Sequence, residues 1–202
     1  MIKSQEVIII DYGMGNILSV VNALNFLGYR TLVTDNVKSI AKSKHIILPG
    51  VGNFKEAMNI LVKKNIDLAI KENIKSQNGK ILGICLGMQL LAKTGHEGGG
   101  EISGIGLIDG KVKKFQIDKE NNYKIPHVGF NEVNFLKDST LYRGLKNKNY
   151  FYFVHSYKLL SSQNSKDYTF AYCNHGEKFI ASFESKNVFG TQFHPEKSQK
   201  NG

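Results

Sequence analysis

Short unbroken apolar runs alternate with helically spaced apolar residues through the first half of this chain, and after Gly95 the helical spacing gives way to strand after strand. Val7 to Ile10 is a β-branched run ending at Asp11. Gly13-Met14-Gly15-Asn16 then turns into Ile17, Val20, Val21, Leu24 and Leu27, closed by Gly28. That order predicts a strand, a glycine turn and a helix. Arg30 to Thr34 and His45 to Leu48 read as further strands. Phe54, Ala57, Met58, Leu61 and Val62 recur at helical spacing behind Asn53, a residue suited to capping a helix N-terminus. A helix over Ile66 to Ile74 and a strand from Lys80 to Ile84 follow, with a further helix opening from Met88 to Lys93. Continuous apolar strands separated by helices predict a parallel sheet covered on both faces.

Beyond Gly95, Ile105 to Ile108 and Lys111 to Phe115 bracket Asp109-Gly110, the signal of a two-residue hairpin. Further strands are predicted at Glu132 to Phe135, Tyr150 to Tyr157, Tyr168 to Cys173, Phe179 to Glu184 and Val188 to Phe193, with Ser185-Lys186-Asn187 turning between the last two. The second half is therefore mostly antiparallel β. No repeat or Pro- or Ser-rich linker separates the halves, so residues 1–202 are expected to form a single domain around a shared core. Gly98-Gly99-Gly100 is expected in a loop beside the helix that follows Cys85.

Composition narrows the classes. A 202-residue chain that is 41% hydrophobic and 22% charged can bury a full core without staples. Its two cysteines, Cys85 and Cys173, lie far apart, which argues against a disulfide framework or zinc site and suits a reducing compartment. The start of the chain has no long apolar segment, and no later stretch reaches membrane-spanning length, so a cytoplasmic protein with no membrane partner is expected. The net charge of +10 raises the question of nucleic acid. The lysines, however, are scattered among asparagines, as at Lys111, Lys113, Lys114, Lys146 and Lys148, with no arginine-rich block or recognisable binding module. A solvated surface accounts for them, and no nucleic-acid partner is expected.

Three short segments carry chemistry. In Gly83-Ile84-Cys85-Leu86-Gly87-Met88-Gln89-Leu90-Leu91, a lone cysteine sits on a turn between strand and helix with a glycine two residues to either side. Such a strained turn crowds its neighbours, and glycines remove the Cβ atoms that would clash. A helix N-terminus there would favour the thiolate and leave it exposed as a nucleophile; the plain alternative is a small buried cysteine. In His194-Pro195-Glu196, proline favours an extended chain that would place His194 and Glu196 on one side as a base and its orienting carboxylate. A surface turn is the alternative. In Pro49-Gly50-Val51-Gly52, at the end of a parallel strand, glycines let a ligand approach backbone N–H groups of the kind an oxyanion hole needs. An ordinary strand-to-helix turn would look the same.

Together with Asp11 to Asn16, Gly104 to Ile108, Pro126-His127-Val128-Gly129, Phe153-Val154-His155-Ser156-Tyr157 and Gln192 to Ser198, these segments resemble the class I (triad) glutamine amidotransferases. The resemblance runs through almost the whole chain and is nearest to the histidine-pathway branch, the glutaminase subunits of imidazole glycerol phosphate synthase. It implies a flavodoxin-like open, mostly parallel sheet with helices on both faces and an antiparallel portion in the second half. It also implies a triad of Cys85, His194 and Glu196, with the backbone N–H of Leu86 and one from Val51 or Gly52 holding the oxyanion. Gln89, Glu97 and backbone groups of Ser156 and Tyr157 would bind glutamine. No cofactor or metal is implied. The implied partner is a (β/α)8-barrel cyclase that forms a heterodimer with this chain and uses the ammonia, with Asn16, Phe130, Tyr152 and Lys197 at the interface. His155 is given no catalytic role, and Cys173 is expected to fill space in a strand.

The chain departs from that branch where Gly129-Phe130-Asn131 replaces a typical Gly-Trp-Asn, at the glycine-rich Gly95 to Gly100 segment, and in stopping at Gly202 where a closing helix usually follows. The first two features also resemble paralogues that feed ammonia into amidino-sugar formation on bacterial surface glycans. A different cysteine hydrolase on the same kind of sheet, and a catalytically silent binding protein, stay open at this point.

Overall fold

The computed structural model describes residues 5–76, 79–116, 123–136, 139–145, 148–161 and 167–202; Met1 to Ser4 and the Lys146-Asn147 pair lie outside them. The alternation of strand and helix read from the first half takes shape as β1 (Glu6–Ile10), β2 (Arg30–Thr34), β3 (His45–Gly50) and β4 (Lys80–Cys85). They are joined by α1 (Ile17–Phe26), α2 (Val37–Lys42), α3 (Phe54–Lys63) and α4 (Ile66–Lys75). After β4 come α5 (Leu86–Leu90), β5 (Ala92–Gly95), β6 (Ile102–Ser103), β7 (Ile108–Lys114), β8 (His127–Asn134), β9 (Lys148–His155), β10 (Tyr157–Leu160), β11 (Thr169–His175), β12 (Glu177–Ser185) and β13 (Val188–Thr191).

The strands form a nine-stranded sheet in the order β2-β1-β3-β4-β13-β12-β11-β8-β9 and a four-stranded sheet in the order β10-β7-β5-β6. From β2 to β13 the large sheet is parallel, and from β13 to β9 it is antiparallel. Alternate residues of the parallel strands serve opposite faces. Val7, Ile9 and Ile47 pack with Val20 and Val21 of α1, whereas Ile8, Ile10, Ile46 and Leu48 pack with Phe54, Leu61, Ile66 and Ile70 of α3 and α4. Both faces are thus buried, as the unbroken apolar runs require. The antiparallel part encloses an aromatic core that includes Phe115, Phe151, Phe153, Phe179 and Phe193. Each such ring contributes roughly 1.5–3 kcal/mol by leaving water.

Three sequence expectations are corrected. The helix after Cys85 stops at Leu90, and Ala92 begins β5. The carbonyls of Leu90 and Leu91 accept from Ile105, Leu107 and Ile108 N–H, so this backbone is recruited by the 105–108 segment instead of by a next helical turn. Asp109-Gly110 forms no hairpin; both lie within β7. Gly110 is there because β10 passes close, and a Cβ would stand 2.9 Å from the Leu160 carbonyl oxygen. The predicted strand from Tyr150 to Tyr157 is two strands, divided at Ser156, one in each sheet. The loop holding Gly98 packs against Lys55 and Asn53 at the start of α3. The sequence also hides α2, a six-residue helix with one buried apolar anchor, Ile40. The buried Asn73 amide of α4 holds its C-terminal end by donating to the carbonyls of Ile40, Ala41 and Ser43.

Candidate active site

Register brings the chemistry together. β4 and β13 run parallel with Ile84 opposite Thr191, so Cys85 at the end of one strand and His194 just past the other emerge at the same edge. Cys85 has φ 54° and ψ −110°, a strained geometry for a residue with a side chain. Its flanking glycines allow the elbow by close approach: a Cβ on Gly87 would stand 1.8 Å from the Leu48 carbonyl oxygen, and one on Gly83 would stand 2.7 Å from the Gly87 backbone. Two features of the elbow differ from expectation. Cys85 is only 6% exposed, and α5 has five residues, too few for a large dipole. Its sulfur lies 3.8 Å from both the Val154 carbonyl oxygen and Gln192 Nε2.

His194 is held from several sides. Its N–H donates to the Tyr152 carbonyl at 2.9 Å, and its carbonyl accepts from Ser198 Oγ at 2.6 Å while that hydroxyl also accepts from Tyr152 N–H. His194 itself is extended, but Pro195 to Lys197 coils into a 3₁₀ turn, so the His–Glu pair forms across a turn and not along the expected extended tripeptide. Glu196 Oε1 lies 2.7 Å from His194 Nδ1, with both side chains almost wholly buried. Burial works against a charge on His194, but the nearby Cys85 and the hydrogen bond to Glu196 outweigh it and raise its pKa to about 9. The resting imidazole is therefore cationic at neutral pH. Nε2 makes no hydrogen bond, so the sulfur is near enough to act on the ring without being aligned on it.

A cavity of about 230 Å³ opens beside the sulfur, lined by Val51, Gly52, Cys85, Leu86, Gln89, Glu97, Val154, His155, Ser156 and Tyr157. All the residues proposed from sequence for the oxyanion and for substrate line this one cavity. Their present bonds are informative. Val51 N–H donates to the Met14 carbonyl at 3.1 Å and so is engaged away from any oxyanion. Gln89 is buried, and its Nε2 donates to the Tyr157 carbonyl and to Gln192 Oε1. Glu97 Oε2 accepts from Phe54 N–H at the start of α3; burial raises its pKa against that bond.

Tyr152 on β9 and Lys197 on the 3₁₀ turn bond through their backbones to His194, Asn16 is the residue before α1, and Phe130 packs edge-on against Tyr152 at 5.5 Å. Phe130 is 48% exposed, and Val128, Tyr150 and Val154 extend an apolar outer face on β8 and β9. Sequence reasoning gave no role to Gln192, Ser198 or Tyr12. Gln192 sits fully buried between Gln89 and Cys85, and its place at the head of the Gln192 to Ser198 segment was the signal that could have found it. Tyr12 is buried with its hydroxyl unbonded; burial, then the nearby Cys85, raises its pKa. Cys173 is buried in β11, where burial pushes its pKa to about 12, consistent with a space-filling thiol.

Among the described residues, no helix is long and apolar enough to cross a membrane. The family model of class-I glutamine amidotransferases matches residues 8–202. The imidazole glycerol phosphate synthase subunit HisH 1 of Campylobacter jejuni subsp. jejuni serotype O:23/36 (strain 81-176) is 45% identical over 96% of this chain and 94% of its own length. The HisH subunit of Moorella thermoacetica (strain ATCC 39073 / JCM 9320) is 42% identical over 98% and 90%. In fold, the chain is similar to PurLQS from Thermotoga maritima, with a TM-score of 0.71 and 17% identity over 96% of this chain and 89% of that one. A glycine-braced cysteine elbow, a buried His–Glu pair at the same sheet edge and relatives matched along nearly their full length lead to one conclusion: the chain belongs to the class I glutamine amidotransferases.

Proposed function

We propose that this chain is the glutaminase subunit of an imidazole glycerol phosphate synthase, acting as one domain over residues 1–202 in a heterodimer with a (β/α)8-barrel cyclase. The observation that carries the reading is the cavity beside Cys85, which gathers the side chains a glutamine would need next to a cysteine and a charged His194–Glu196 pair. Relatives named as HisH subunits at 42–45% identity over nearly the full chain support the histidine-pathway assignment.

In this reading, Cys85 attacks the side-chain amide carbon of glutamine, and the C–N bond breaks as His194 delivers its proton to the departing ammonia. A γ-glutamyl thioester remains. Neutral His194, oriented by Glu196, then takes a proton from water, whose oxygen attacks the thioester; glutamate leaves and the thiolate is restored. The N–H of Leu86 and one from Val51 or Gly52 stabilise each oxyanion. Val51 N–H is spent on Met14, so if it is the second donor that peptide has to turn before the hole is complete, whereas Gly52 N–H would serve without that turn. Ammonia then passes to the barrel, which docks on the face that holds Asn16, Phe130, Tyr152 and Lys197 and makes imidazole glycerol phosphate and an aminoimidazole carboxamide ribonucleotide.

Glutamate release is the test, measured for the wild type and Cys85→Ala with and without the barrel cyclase and its acceptor. The expected result is slow release alone, strong stimulation in the complex and none from the variant. Release that persists in Cys85→Ala would overturn the triad. Stimulation only by a surface-sugar amidotransferase would move the pathway while leaving the chemistry intact.

A further inference from the structure

We infer that Asn131, His127 and His155 form a one-way hydrogen-bond relay, and that His127 and His155 are positioning residues that hold the Ser156–Tyr157 wall of the cleft from the inner side of the docking ribbon. The inference rests on the reading of that cleft as the glutamine site. The mechanism above uses none of these three side chains.

Every proton in the relay has a forced position. His155 Nδ1 lies 2.7 Å from the Tyr157 carbonyl, which can only accept, so Nδ1 carries a hydrogen. The ring is boxed by Phe115, Phe153 and Phe179, with centroids 5.2, 5.7 and 5.2 Å away. Burial there, with neighbouring histidines adding to it, keeps His155 neutral by lowering its pKa to about 3 against the opposing bond to Tyr157. His155 Nε2 is then a bare acceptor. His127 Nδ1, 3.1 Å from it, has to donate. Burial and then His175 lower the pKa of His127 to about 4, so it too is neutral and its Nε2 accepts. The donor for that atom is Asn131 Nδ2 at 3.4 Å. Asn131 cannot flip, because its Nδ2 also donates to the Asn174 carbonyl at 2.9 Å and its Oδ1 accepts from Glu132 N–H. His175 stacks on His127 at 4.0 Å but directs its Nε2 to the Lys124 carbonyl and stands outside the chain of donors.

The relay ends where the cleft is built. The Tyr157 carbonyl also accepts from Gln89 Nε2 at 3.0 Å, and Gln89 continues through Gln192 toward the sulfur of Cys85. Both lone pairs of that oxygen are therefore taken by the protein, which pins the peptide just after the chain leaves the large sheet at Ser156. The relay begins on the same two strands that present the docking face. His127 stands opposite His155 on the inner side, while the outward pairs Val128–Val154 and Phe130–Tyr152 are the more exposed ones. A shift of the ribbon when a partner binds its outer face thus reaches the substrate wall through two rigid rings.

Two measurements test this. In ¹⁵N NMR of the full chain at pH 7, both rings are expected as the neutral Nδ1–H tautomer; an Nε2–H tautomer or a cation at either ring would overturn the relay without any variant. In the complex with the barrel cyclase, His155→Leu is expected to raise KM for glutamine roughly tenfold, with kcat nearly unchanged, because one buried hydrogen bond to the cleft is lost. His155→Asn, whose amide N–H can stand near the place of Nδ1, is expected to recover most of that loss. Equal losses in the two variants, or a fall in kcat alone, would overturn the positioning role. A wild-type complex that releases no glutamate would instead sink the glutaminase reading, and the tautomers would still decide the relay.

Discussion

Cys85 occupies a backbone geometry that side chains rarely adopt, and its neighbours show why the strain persists: β3 presses against the elbow so closely that Gly87 has no room for a methyl group. Gly87→Ala is therefore expected to cost about 3 kcal/mol or more, or to prevent folding, because the obstacle is the Leu48 backbone and not a side chain that can swing away; urea unfolding measures it. The raised pKa of His194 gives a second expectation. Its folded value of about 9 exceeds the ordinary 6.5, so the stability it confers is complete below about pH 6.5 and is lost as pH rises through 9. Glutaminase activity in the complex should fall along the same alkaline limb. Glu196→Gln removes one of the groups that favour the cation, so that limb should move to lower pH, and the melting temperature should decline less between pH 6.5 and 9 than in the wild type. An unmoved limb would mean that Glu196 does not tune the imidazole.

At the scale of elements, the start of α3 ties stability to the cleft. Asn53 Oδ1 accepts from Lys55 and Glu56 N–H, and Glu97 Oε2 takes Phe54 N–H, so three orphan donors of the first turn are satisfied from two sources. Asn53→Ala should cost about 1 kcal/mol in denaturant unfolding with little change in KM for glutamine. Glu97→Ala should lower stability and also raise KM, since the same carboxylate lines the cavity. The short α5 illustrates a competition that local propensity does not register. Gln89, Leu90 and Leu91 suit a longer helix, but the carbonyls of Leu90 and Leu91 are claimed by residues more than a dozen positions downstream. The outcome is a strand, β5, that opens the second sheet.

On the scale of the molecule, the outer face of β8 and β9 is apolar, borders His194 and carries Phe130. Phe130→Asp should weaken barrel binding at least tenfold by calorimetry, while leaving the slow glutamate release of the isolated chain unchanged, because the ring packs on Tyr152 and not on the triad. Unaltered binding would place the docking surface elsewhere.

The parallel half of the fold and the elbow were readable from the amino-acid string because both are local. A buried strand needs an unbroken apolar run, and a strained cysteine turn needs glycines two residues away, whatever lies elsewhere. His194 and Glu196 were expected to pair along an extended tripeptide, whereas the pair forms across a 3₁₀ turn, a geometry the local pattern did not show. Tertiary structure alone decided which strands lie side by side, and through that the opposition of β4 and β13, the division of a predicted strand at Ser156 and the absorption of Asp109-Gly110 into β7. It also decided that Gln192, His127 and His155 face the cleft network and not solvent. Hydrophobic period reports the environment of one face of one element, whereas strand partners and buried polar networks depend on groups that meet across 28 to 103 positions of sequence separation, to which no local pattern is sensitive.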